Sequence, residues 1–456
     1  MARAKTEYRC TECGWTSPKW VGQCRECRAW GTLEEAGSPA PAVPAAAAPR
    51  RAAVPMTQVD ASGARRRPTG VGELDRVLGG GIVPGAVVLL AGEPGVGKST
   101  LLLDVAARAA FAQRMAGGLG PVLYVTGEES ASQVKSRAER IGAVDESLLL
   151  ADENDLGAVL GHVEANAPSL LVVDSVQTMQ SSQVEGGAGG VTQVRAVAAG
   201  LIRTAKERAM PVLLVGHVTK DGGIAGPRVL EHLVDVVCQF EGDRHSPLRL
   251  LRAVKNRYGP TDEVGCFELN DTGITGLPDP SGLFLSQTSL DVPGTCVTVS
   301  LEGRRPMPTE VQALLAEPSG PPRRTTSGVD RNRVLMLLAV LDTRLRVRSS
   351  DKDVYVSTVG GARTAEPAVD LAMALAIVSS LTGKAPRRGT VAFGEVGLTG
   401  EVRACTGVQR RLQEAARLGF SRAVVPAQGS AELHAVAGLD ILPVSDLATA
   451  VAAALP

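Results

Sequence analysis

The 456-residue sequence is poor in aromatic residues, which make up only 3% of it. This scarcity argues against a surface on which successive nucleobases stack on aromatic rings. The net charge is zero, with 48 basic and 48 acidic residues, so no global positive charge marks the chain as a nucleic-acid binder. Any contact with nucleic acid would have to come from local patches or from several assembled copies.

The sequence also lacks a long apolar run. No stretch of eighteen or more apolar residues is present, and the first ten residues, MARAKTEYRC, contain no apolar core of a signal peptide. We therefore expect a soluble, cytoplasmic protein with no membrane association. At this length, with 44% hydrophobic residues, two or three domains with cores of their own are expected.

Half of the eight cysteines form two C-x-x-C pairs near the N-terminus, namely Cys10, Cys13, Cys24 and Cys27. Each pair can hold a metal from one tight turn, and four thiolates suit a tetrahedral structural Zn²⁺ with no open position for catalysis. Two disulfides or a redox pair are the alternatives, and a cytoplasmic chain disfavours the first. The other four cysteines are scattered, which is typical of small buried side chains.

Composition divides the chain into segments. Residues 36–66 are rich in proline and alanine without an apolar period, which predicts a mobile linker. We expect a zinc-binding module over 1–35, a nucleotide-binding domain over 67–276 and a C-terminal domain over 277–456. A second irregular stretch, 317–328, interrupts the last of these, and the fold of 277–328 stays open apart from a strand predicted within 293–303.

Residues 92–99 have the sequence GEPGVGKS, a full match to the phosphate-loop pattern G-x-x-x-x-G-K-[ST]. An apolar run of strand type precedes it, and helical spacing follows it. In this context the loop's N–H groups and the helix N-terminus can hold phosphates, Lys98 can contact the β- and γ-phosphates, and Ser99 can bind Mg²⁺. A glycine turn without a ligand is the disfavoured alternative. The predicted ATP site comprises Gly92, Glu93, Pro94, Gly95, Val96, Gly97, Lys98, Ser99 and Thr100.

The surrounding region alternates strand and helix signals. Apolar runs at 122–126, 170–174 and 212–216 predict buried parallel strands, and 132–142 and 192–209 have helical patterns. This alternation predicts a doubly wound α/β fold, in which ligands bind at the C-terminal ends of the strands.

Acidic residues follow two of these strands. Asp174 ends one of them, where a carboxylate can hold Mg²⁺ through water. After the strand at 122–126 come Glu128 and Glu129, and one of the two is predicted to orient and deprotonate the attacking water. We favour Glu128, with the other glutamate complementing a helix dipole. His217, at a third strand end, is either a sensor of the γ-phosphate or an ordinary polar residue.

Two further segments carry a family resemblance. The segment TGVGELDRVLGGGIVPG (69–85) resembles the one that precedes the phosphate loop in RecA-type ATPases, including bacterial recombination proteins and KaiC-like proteins. KNRYG (255–259) resembles the KNRFG signature of the RadA/Sms family of DNA-repair proteins, with tyrosine in place of phenylalanine. The sequence is identified as a member of that family. The resemblance implies a DNA-dependent ATPase of recombinational repair that forms hexameric rings on single-stranded DNA and drives branch migration of branched intermediates.

The KNRYG motif consists of Lys255, Asn256, Arg257, Tyr258 and Gly259. It follows a predicted strand at 248–254, late in the core, at the edge that a RecA-type ring places against the neighbour's nucleotide. Lys255 and Arg257 would then act in trans as charge-stabilising groups. Without the resemblance, the motif would be a turn with incidental charges.

Glycine-rich segments at 181–193 and 219–228 follow strands where RecA-type proteins place DNA-binding loops. Lys220 and Arg228 of the second segment can meet phosphates, and repetition around a ring would strengthen this weak contact. Ordinary flexible loops are the alternative. The zinc module is expected to dock a partner recombinase or replicative helicase.

The C-terminal domain resembles Lon proteases, most clearly over 329–456, which implies an α+β fold. Segments 366–386 and 400–420 resemble those that carry the Lon serine and lysine, and the ungapped comparison places Ala368 and Arg411 at these positions. Alanine has no nucleophile and arginine stays charged, so we expect no proteolysis. Three arginines are expected to face DNA or to form a solvated helix face: Arg403, Arg410 and Arg411.

Two other functions are alternatives to a DNA-dependent ATPase. A nucleotide-switched scaffold similar to KaiC would use ATP for assembly, and an ATP-dependent Lon-type protease is disfavoured by the two substitutions just described. Ser379 and Ser380 lie too far along the predicted helix to replace the missing nucleophile.

Overall fold

The computed structural model describes residues 7–36, 53–60, 62–118, 120–217, 230–242, 246–285 and 292–456. The chain divides between residues 60 and 61 into two compact units. Among the described residues, no helix is long and apolar enough to cross a membrane.

The first unit contains a small antiparallel sheet, in the order β2-β1-β3, made of β1 (Glu7–Cys10), β2 (Thr16–Ser17) and β3 (Leu33–Ala36). Gly14, at φ +76°, closes the tight turn after β1 with a hydrogen bond from its N–H to Cys10 O at 2.9 Å. Among the described residues of this unit, the hydrophobic cluster has three buried members, Cys10, Cys24 and Leu33. Such a small core needs further stabilisation, which a structural metal supplies in many proteins of this size.

The second unit begins with a nine-stranded sheet. Its parallel strands are β4 (Val87–Gly92), β5 (Val122–Thr126), β6 (Leu148–Asp152), β7 (Leu170–Asp174), β8 (Val212–His217) and β9 (Val236–Gly242). An antiparallel extension follows, with β10 (Leu248–Asn256), β11 (Val264–Asn270) and β12 (Gly273–Gly276). The spatial order is β12-β11-β10-β9-β4-β8-β7-β5-β6.

Helices cover both faces of this sheet. They are α1 (Gly72–Leu78), α2 (Lys98–Ala116), α3 (Ala131–Ile141), α4 (Leu156–Asn166) and α5 (Val191–Arg208). Alternate residues of β4 enter two separate hydrophobic clusters: Val88 and Leu90 pack with α1, α2 and α3, whereas Val87 and Leu89 pack with α4 and α5. Strands buried on both faces explain the continuous apolar runs in the sequence, and the predicted doubly wound fold is confirmed.

The C-terminal part forms a seven-stranded mixed sheet in the order β15-β16-β14-β13-β17-β20-β21. Its strands are β13 (Thr295–Glu302), β14 (Arg305–Ala316), β15 (Arg324–Ser327), β16 (Asp353–Thr358), β17 (Thr390–Ala392), β20 (Arg422–Pro426) and β21 (Asp440–Val444), and β18 (Glu395–Val396) pairs separately with β19 (Val402–Arg403). The helices are α6 (Ser281–Phe284), α7 (Arg331–Val340), α8 (Asp370–Thr382), α9 (Val408–Arg417) and α10 (Leu447–Ala454).

Two segments with an irregular composition contribute to this architecture. Residues 324–327, inside the stretch predicted to be irregular, form the edge strand β15, which pairs in parallel with β16. Most of the predicted linker lies outside the described residues. At its C-terminal end, however, the Arg66 side chain donates to Gly79 O at 2.5 Å and to Tyr258 O. The backbone of Arg67 also exchanges two hydrogen bonds with Ile82. This end of the segment is therefore attached to the α/β core.

Candidate nucleotide site and zinc centre

The phosphate loop connects β4 to α2, as its sequence predicts. Gly95 and Gly97 have φ angles of +81° and +104°, which favour glycine. A Cβ at Gly92 would lie 2.5 Å from Phe240 O, so a side chain cannot be accommodated there. These glycines allow the loop to bend tightly against β9 and leave the N-terminus of α2 open for an anion.

Lys98 is buried at the first position of α2. Its Nζ donates to the carbonyl oxygens of Gly92 and Glu93, each at 2.9 Å. Burial lowers the pKa of Lys98 to about 8, partly opposed by the charges of Asp174 and Glu128. A desolvated ammonium group of this kind is stabilised by a phosphate more strongly than one already in water, so the environment suits a triphosphate.

Asp174, at the end of β7, is buried and hydrogen-bonded on one side only. Its Oδ2 accepts from the Tyr124 hydroxyl at 2.6 Å, whereas Oδ1 has no partner among the described residues. Burial raises the pKa of Tyr124, so the phenol keeps its proton and donates. A buried carboxylate oxygen without a partner requires an explanation, and a cation such as Mg²⁺, held directly or through water, fits this donor set.

The structure separates Glu128 from Glu129. Glu128 Oε1 accepts from Ser175 Oγ at 2.5 Å and lies 3.1 Å from His217 Nε2. The hydrogen bond to His217, with that from Ser175 and the charges of His217 and Lys98, lowers the pKa of Glu128 to about 2 despite partial burial. Glu129 instead forms an ion pair with Arg137 on α3. Of the two glutamates, it is therefore Glu128 that contacts Ser175 and His217 in the cluster beside the phosphate loop.

The sequence did not reveal the two neighbours of Glu128 in these roles. Ser175 directly follows the strand-ending aspartate, and it is fully buried. His217 Nδ1 is buried and has no partner within the described part of the chain. In the sequence, the position of these residues at strand ends was the only signal of such a role. In the structure, Ser175 and His217 both contact Glu128.

The KNRYG motif lies at the edge of the sheet where the parallel strands begin, whereas the phosphate loop lies at the opposite edge, where they end. Asn256 is level with Val236, which is level with Val88 near the start of β4, whereas the phosphate loop follows Gly92 at the end of β4. These positions are about 13 Å apart along the strand, at roughly 3.3 Å per residue. Within one chain, the motif therefore does not reach the phosphate loop.

Both cations of the motif are held by their own chain. Lys255 Nζ donates to Glu231 O at 2.6 Å and to Val234 O at 2.8 Å. Arg257 Nη1 donates to Asp235 Oδ1 at 2.8 Å, while Asp235 Oδ2 accepts from the N–H of Val87 at 3.1 Å. Burial and then the Arg257 charge lower the pKa of Lys255. The two cations thus lie side by side at an edge of the sheet.

The remaining motif residues shape the turn. Asn256 Oδ1 accepts from the N–H of Tyr258 at 2.9 Å, and the Tyr258 ring packs against the hydrophobic cluster that contains α1 and α2. A Cβ at Gly259 would come within 3.3 Å of Asn256 Nδ2. These three residues give the motif a defined backbone shape.

The two predicted DNA-binding loops differ in what the structure describes. In the first, the buried Gln193 side chain accepts from the N–H of Ser181 at 2.7 Å and donates to the carbonyls of Ser181, Val184 and Gly186. This amide ties the glycine-rich loop to the first turn of α5. The second loop, with Lys220 and Arg228, lies outside the described residues.

The four N-terminal cysteines converge. Their Sγ atoms all lie within 4.8 Å of one another, with Cys10–Cys27 at 3.7 Å and Cys13–Cys24 at 3.6 Å. Tetrahedral Zn²⁺ with Zn–S bonds of about 2.3 Å requires sulfur atoms about 3.8 Å apart, so these thiols fit structural zinc. Thr32 Oγ1, 3.2 Å from Cys10 Sγ, supports one ligand. The other cysteines are free, and three are buried: Cys238, Cys266 and Cys296.

At the Lon-like positions the structure corrects one expectation. Arg411 is fully buried, so it faces neither DNA nor solvent. Its guanidinium pairs with both carboxylate oxygens of Glu366, at 2.7 and 2.8 Å, and donates to Val299 O at 2.5 Å. The reason is that α9 turns Arg411 toward the domain core and leaves Arg410 exposed. Ala368 is also buried, in the short 3₁₀ turn Pro367–Val369 that precedes α8.

The two serines considered as replacements have structural roles. Ser379 Oγ accepts from the N–H of Gly294 at 2.9 Å and donates to Lys384 O at 2.6 Å. Ser380 Oγ accepts from the N–H of Leu315 at 3.1 Å. Arg403, the third arginine expected on a DNA-facing or solvated surface, is exposed and pairs with Glu401 and Glu395.

A phosphate loop between a central strand and its helix, with acidic residues after two neighbouring strands, defines a RecA-like P-loop ATPase core. Family models agree: an "AAA domain" matches residues 48–223, a "Rubredoxin metal binding domain" matches 8–35, and "Subunit ChlI of Mg-chelatase" matches 351–429. The C-terminal domain is accordingly of the ChlI and Lon-like type.

Whole-chain comparisons are more specific. The DNA repair protein RadA of Mycolicibacterium smegmatis is 53% identical over 460 residues, covering 99% of this chain and 97% of the relative. RadA of Bacillus subtilis is 43% identical over the full length of both chains. The crystal structure of the RadB recombinase is 22% identical, with a TM-score of 0.36, and the match covers 46% of this chain and 98% of that protein. The crystal structure of a KaiC-like protein from Pyrococcus horikoshii is also 22% identical, with a TM-score of 0.38, and the match covers 47% of this chain and 100% of that protein. The chain belongs to the family of the DNA repair protein RadA.

Proposed function

We propose that this chain is a DNA-stimulated ATPase of recombinational DNA repair. It assembles as a homohexameric ring, binds single-stranded DNA and drives branch migration of recombination intermediates. The observation that carries the proposal is the placement of the KNRYG cations and the phosphate loop at opposite edges of one sheet. The cations and the phosphate loop can act on the same nucleotide only if the cations of one copy complete the site of the next.

The hydrolytic half of the site lies within one chain. Lys98 would bind the β- and γ-phosphates, and Ser99 with Asp174 would hold Mg²⁺, which neutralises phosphate charge when bound. Ser175 and His217 hold the Glu128 carboxylate in place, so we propose that it orients the attacking water and accepts its proton. The ion pair of Glu129 with Arg137 makes it the less suitable base.

The second half would come from the neighbouring copy. Lys255 and Arg257 would exchange their contacts with backbone carbonyls and Asp235 for the γ-phosphate across the subunit boundary. Positive groups placed there stabilise the charge of the transferring phosphoryl group. Because the boundary geometry sets their position, hydrolysis would be linked to ring conformation. DNA contact through the two glycine-rich loops, with Lys220 and Arg228, would gain strength from repetition around the ring.

The test is ATP turnover with and without single-stranded DNA, for the wild type, Lys98→Ala and Lys255→Ala. We expect stimulation by DNA in the wild type, no turnover by Lys98→Ala, and a basal turnover without DNA stimulation by Lys255→Ala. Mixing the two variants is the sharper measurement, because a Lys98→Ala chain still offers its KNRYG cations to a Lys255→Ala neighbour. Turnover in the mixture above that of either variant supports action in trans, and its absence contradicts it.

The same assay addresses the alternative functions. ATP-dependent assembly without stimulation by DNA would favour a nucleotide-switched scaffold. We infer that the C-terminal domain does not cleave peptides, because Ala368 has no nucleophile and Arg411 is bound to Glu366 in the core. Degradation of casein with ATP would contradict this inference.

The zinc unit is proposed to dock a partner recombinase or replicative helicase. Cys24→Ser should then remove partner binding while the DNA-stimulated ATPase of the isolated protein persists. Unchanged capture of either partner by the variant would refute the assignment.

A further inference from the structure

One hairpin of the C-terminal domain contacts the segments on both sides of the KNRYG motif. The hairpin joins β13 to β14, and its tip comprises residues 302–305. Gly303 adopts φ +62° at the turn, in the left-handed region that favours glycine. The tip lies against the antiparallel extension of the ATPase sheet.

On the N-terminal side of the motif, the contact is an ion pair. Arg252, on β10 three positions before Lys255, places Nη2 2.6 Å from Glu302 Oε2. Both side chains are less than one-third exposed. This partial burial and the short distance make the pair stronger than a typical surface ion pair.

On the C-terminal side, the contact involves the backbone as well. Asp262, three positions after Gly259, accepts a hydrogen bond from the N–H of Arg304 at 2.5 Å. Its Oδ2 lies 3.1 Å from Arg304 Nε. A Cβ at Gly303 would lie only 2.2 Å from Asp262 O, so the tip approaches this backbone as closely as glycine allows.

A buried arginine anchors the tip. Arg305 pairs with Glu73 of α1 and donates to Val264 O at 3.1 Å, Leu277 O at 3.0 Å and Pro278 O at 2.7 Å. Glu73 also accepts from the N–H of Cys266 at 2.8 Å. A buried ion pair with these additional partners tolerates little displacement, so the tip is fixed relative to β11 and α1.

We propose that the hairpin tip, residues 302–305, positions the KNRYG motif for its contact with the neighbouring copy's nucleotide. Glu302, Gly303 and Arg304 are positioning residues, because they contact the segments that flank the motif and not the phosphates. The C-terminal domain thereby sets the place of Lys255 and Arg257 at the subunit boundary. This inference rests on the proposed action of these two cations in trans.

The first test introduces a side chain at the hairpin tip. Gly303→Val places a side chain against Asp262 O, whereas the control Gly320→Val adds one in open space in the same domain. We expect Gly303→Val to lower kcat for DNA-stimulated ATP hydrolysis roughly 10- to 100-fold, as misplacement by about 1 Å can. The KM for ATP should stay unchanged, because the atoms that a side chain at Gly303 would meet belong to Asp262 and not to the chain's own phosphate loop. Gly320→Val should behave as the wild type.

The Gly303→Val substitution is then combined with Lys255→Ala. If the tip acts through the motif, Gly303→Val causes no further loss of kcat in the Lys255→Ala background. An equal fold-loss in both backgrounds, or a wild-type kcat for Gly303→Val, overturns the proposal. Lys255→Ala with undiminished turnover would instead refute the action in trans on which the proposal rests, so the two failures are distinguishable.

A milder pair of variants provides a test if Gly303→Val impairs folding. Asp262→Arg opposes Arg304 with a like charge and should lower kcat, and adding Arg304→Asp restores the attraction and should recover it. Far-UV circular dichroism in urea checks that the unfolding midpoints stay alike. If the double variant folds normally and does not recover kcat, the proposed positioning role of the hairpin tip is refuted.

Discussion

Arg411→Ala should destabilise the C-terminal domain strongly, although arginine is usually a surface residue. The Arg411 side chain is 0% exposed, and Glu366 is its carboxylate partner. Its guanidinium also donates to Val299 O and, at 3.0 Å, to Thr406 O. The residue therefore connects α9, β13 and the segment before α8 through one buried group.

The magnitude follows from what the substitution leaves behind. Removing one partner of a buried ion pair costs about 3–5 kcal/mol, because the other charge stays buried without compensation. Glu366 keeps a hydrogen bond from the N–H of Leu301 at 2.8 Å, and its side chain is 23% exposed. Water and this donor can stabilise the carboxylate in part, so we expect the low end, about 3 kcal/mol.

The assay is urea unfolding followed by far-UV circular dichroism, because all three tryptophans lie in the zinc unit and their fluorescence does not report on this domain. The matched control is Arg410→Ala, one position earlier and exposed, which should change the unfolding free energy by no more than about 0.5 kcal/mol. Combining Arg411→Met with Glu366→Met should recover much of the loss, because no unpaired charge remains. A cost below about 1 kcal/mol for Arg411→Ala would refute the reasoning.

Three further predictions concern the other sites. Burial holds the pKa of Lys98 at about 8, below its unfolded value, so its desolvation penalty is present below pH 8. Lys98→Met should therefore stabilise the nucleotide-free protein at pH 7, and this advantage should shrink as the pH rises through 8 toward 10.5; denaturant titrations at each pH measure it, and a growing advantage would contradict it. Glu128→Gln should lower ATP hydrolysis by roughly 10²–10⁴-fold with nucleotide binding retained, whereas Glu129→Gln should lose only the Arg137 contact; similar turnover in the two variants would refute the assignment. Removing zinc with a chelator should shift the tryptophan emission, which reports on the zinc unit alone, and leave basal ATP hydrolysis intact; unshifted emission would show that the unit folds without metal.

Much of the α/β core could be predicted from local pattern. The apolar runs at 122–126 and 170–174 coincide with β5 and β7, because strands buried on both faces carry apolar residues at consecutive positions. The helix predicted over 132–142 is α3, whose capping box of Ser130 and Gln133 sets its start. The phosphate loop and the two cysteine pairs depend on short spacings, which a sequence displays directly.

Relations between distant residues could not be predicted in this way. The C-terminal sheet places β17 between β13 and β20, and the parallel pairing of Val297 with Val391 has no local signal. The choice between Glu128 and Glu129 depends on Arg137 and His217, which approach only when α3 packs on the sheet and β8 pairs with β7. Lys255 is held by carbonyls of residues more than twenty positions earlier.

By itself, the sequence determined the family, the α/β class of the core, the phosphate loop and the four candidate metal ligands, because short motifs and the alternation of apolar runs with helical patterns are visible along the chain. The tertiary structure alone decided that Arg411 is buried against Glu366, that the KNRYG cations lie across the sheet from the phosphate loop, and that the hairpin tip reaches both flanks of that motif. These features depend on which distant residues the fold brings into contact, and a buried charge such as that of Arg411 is retained only beside a partner.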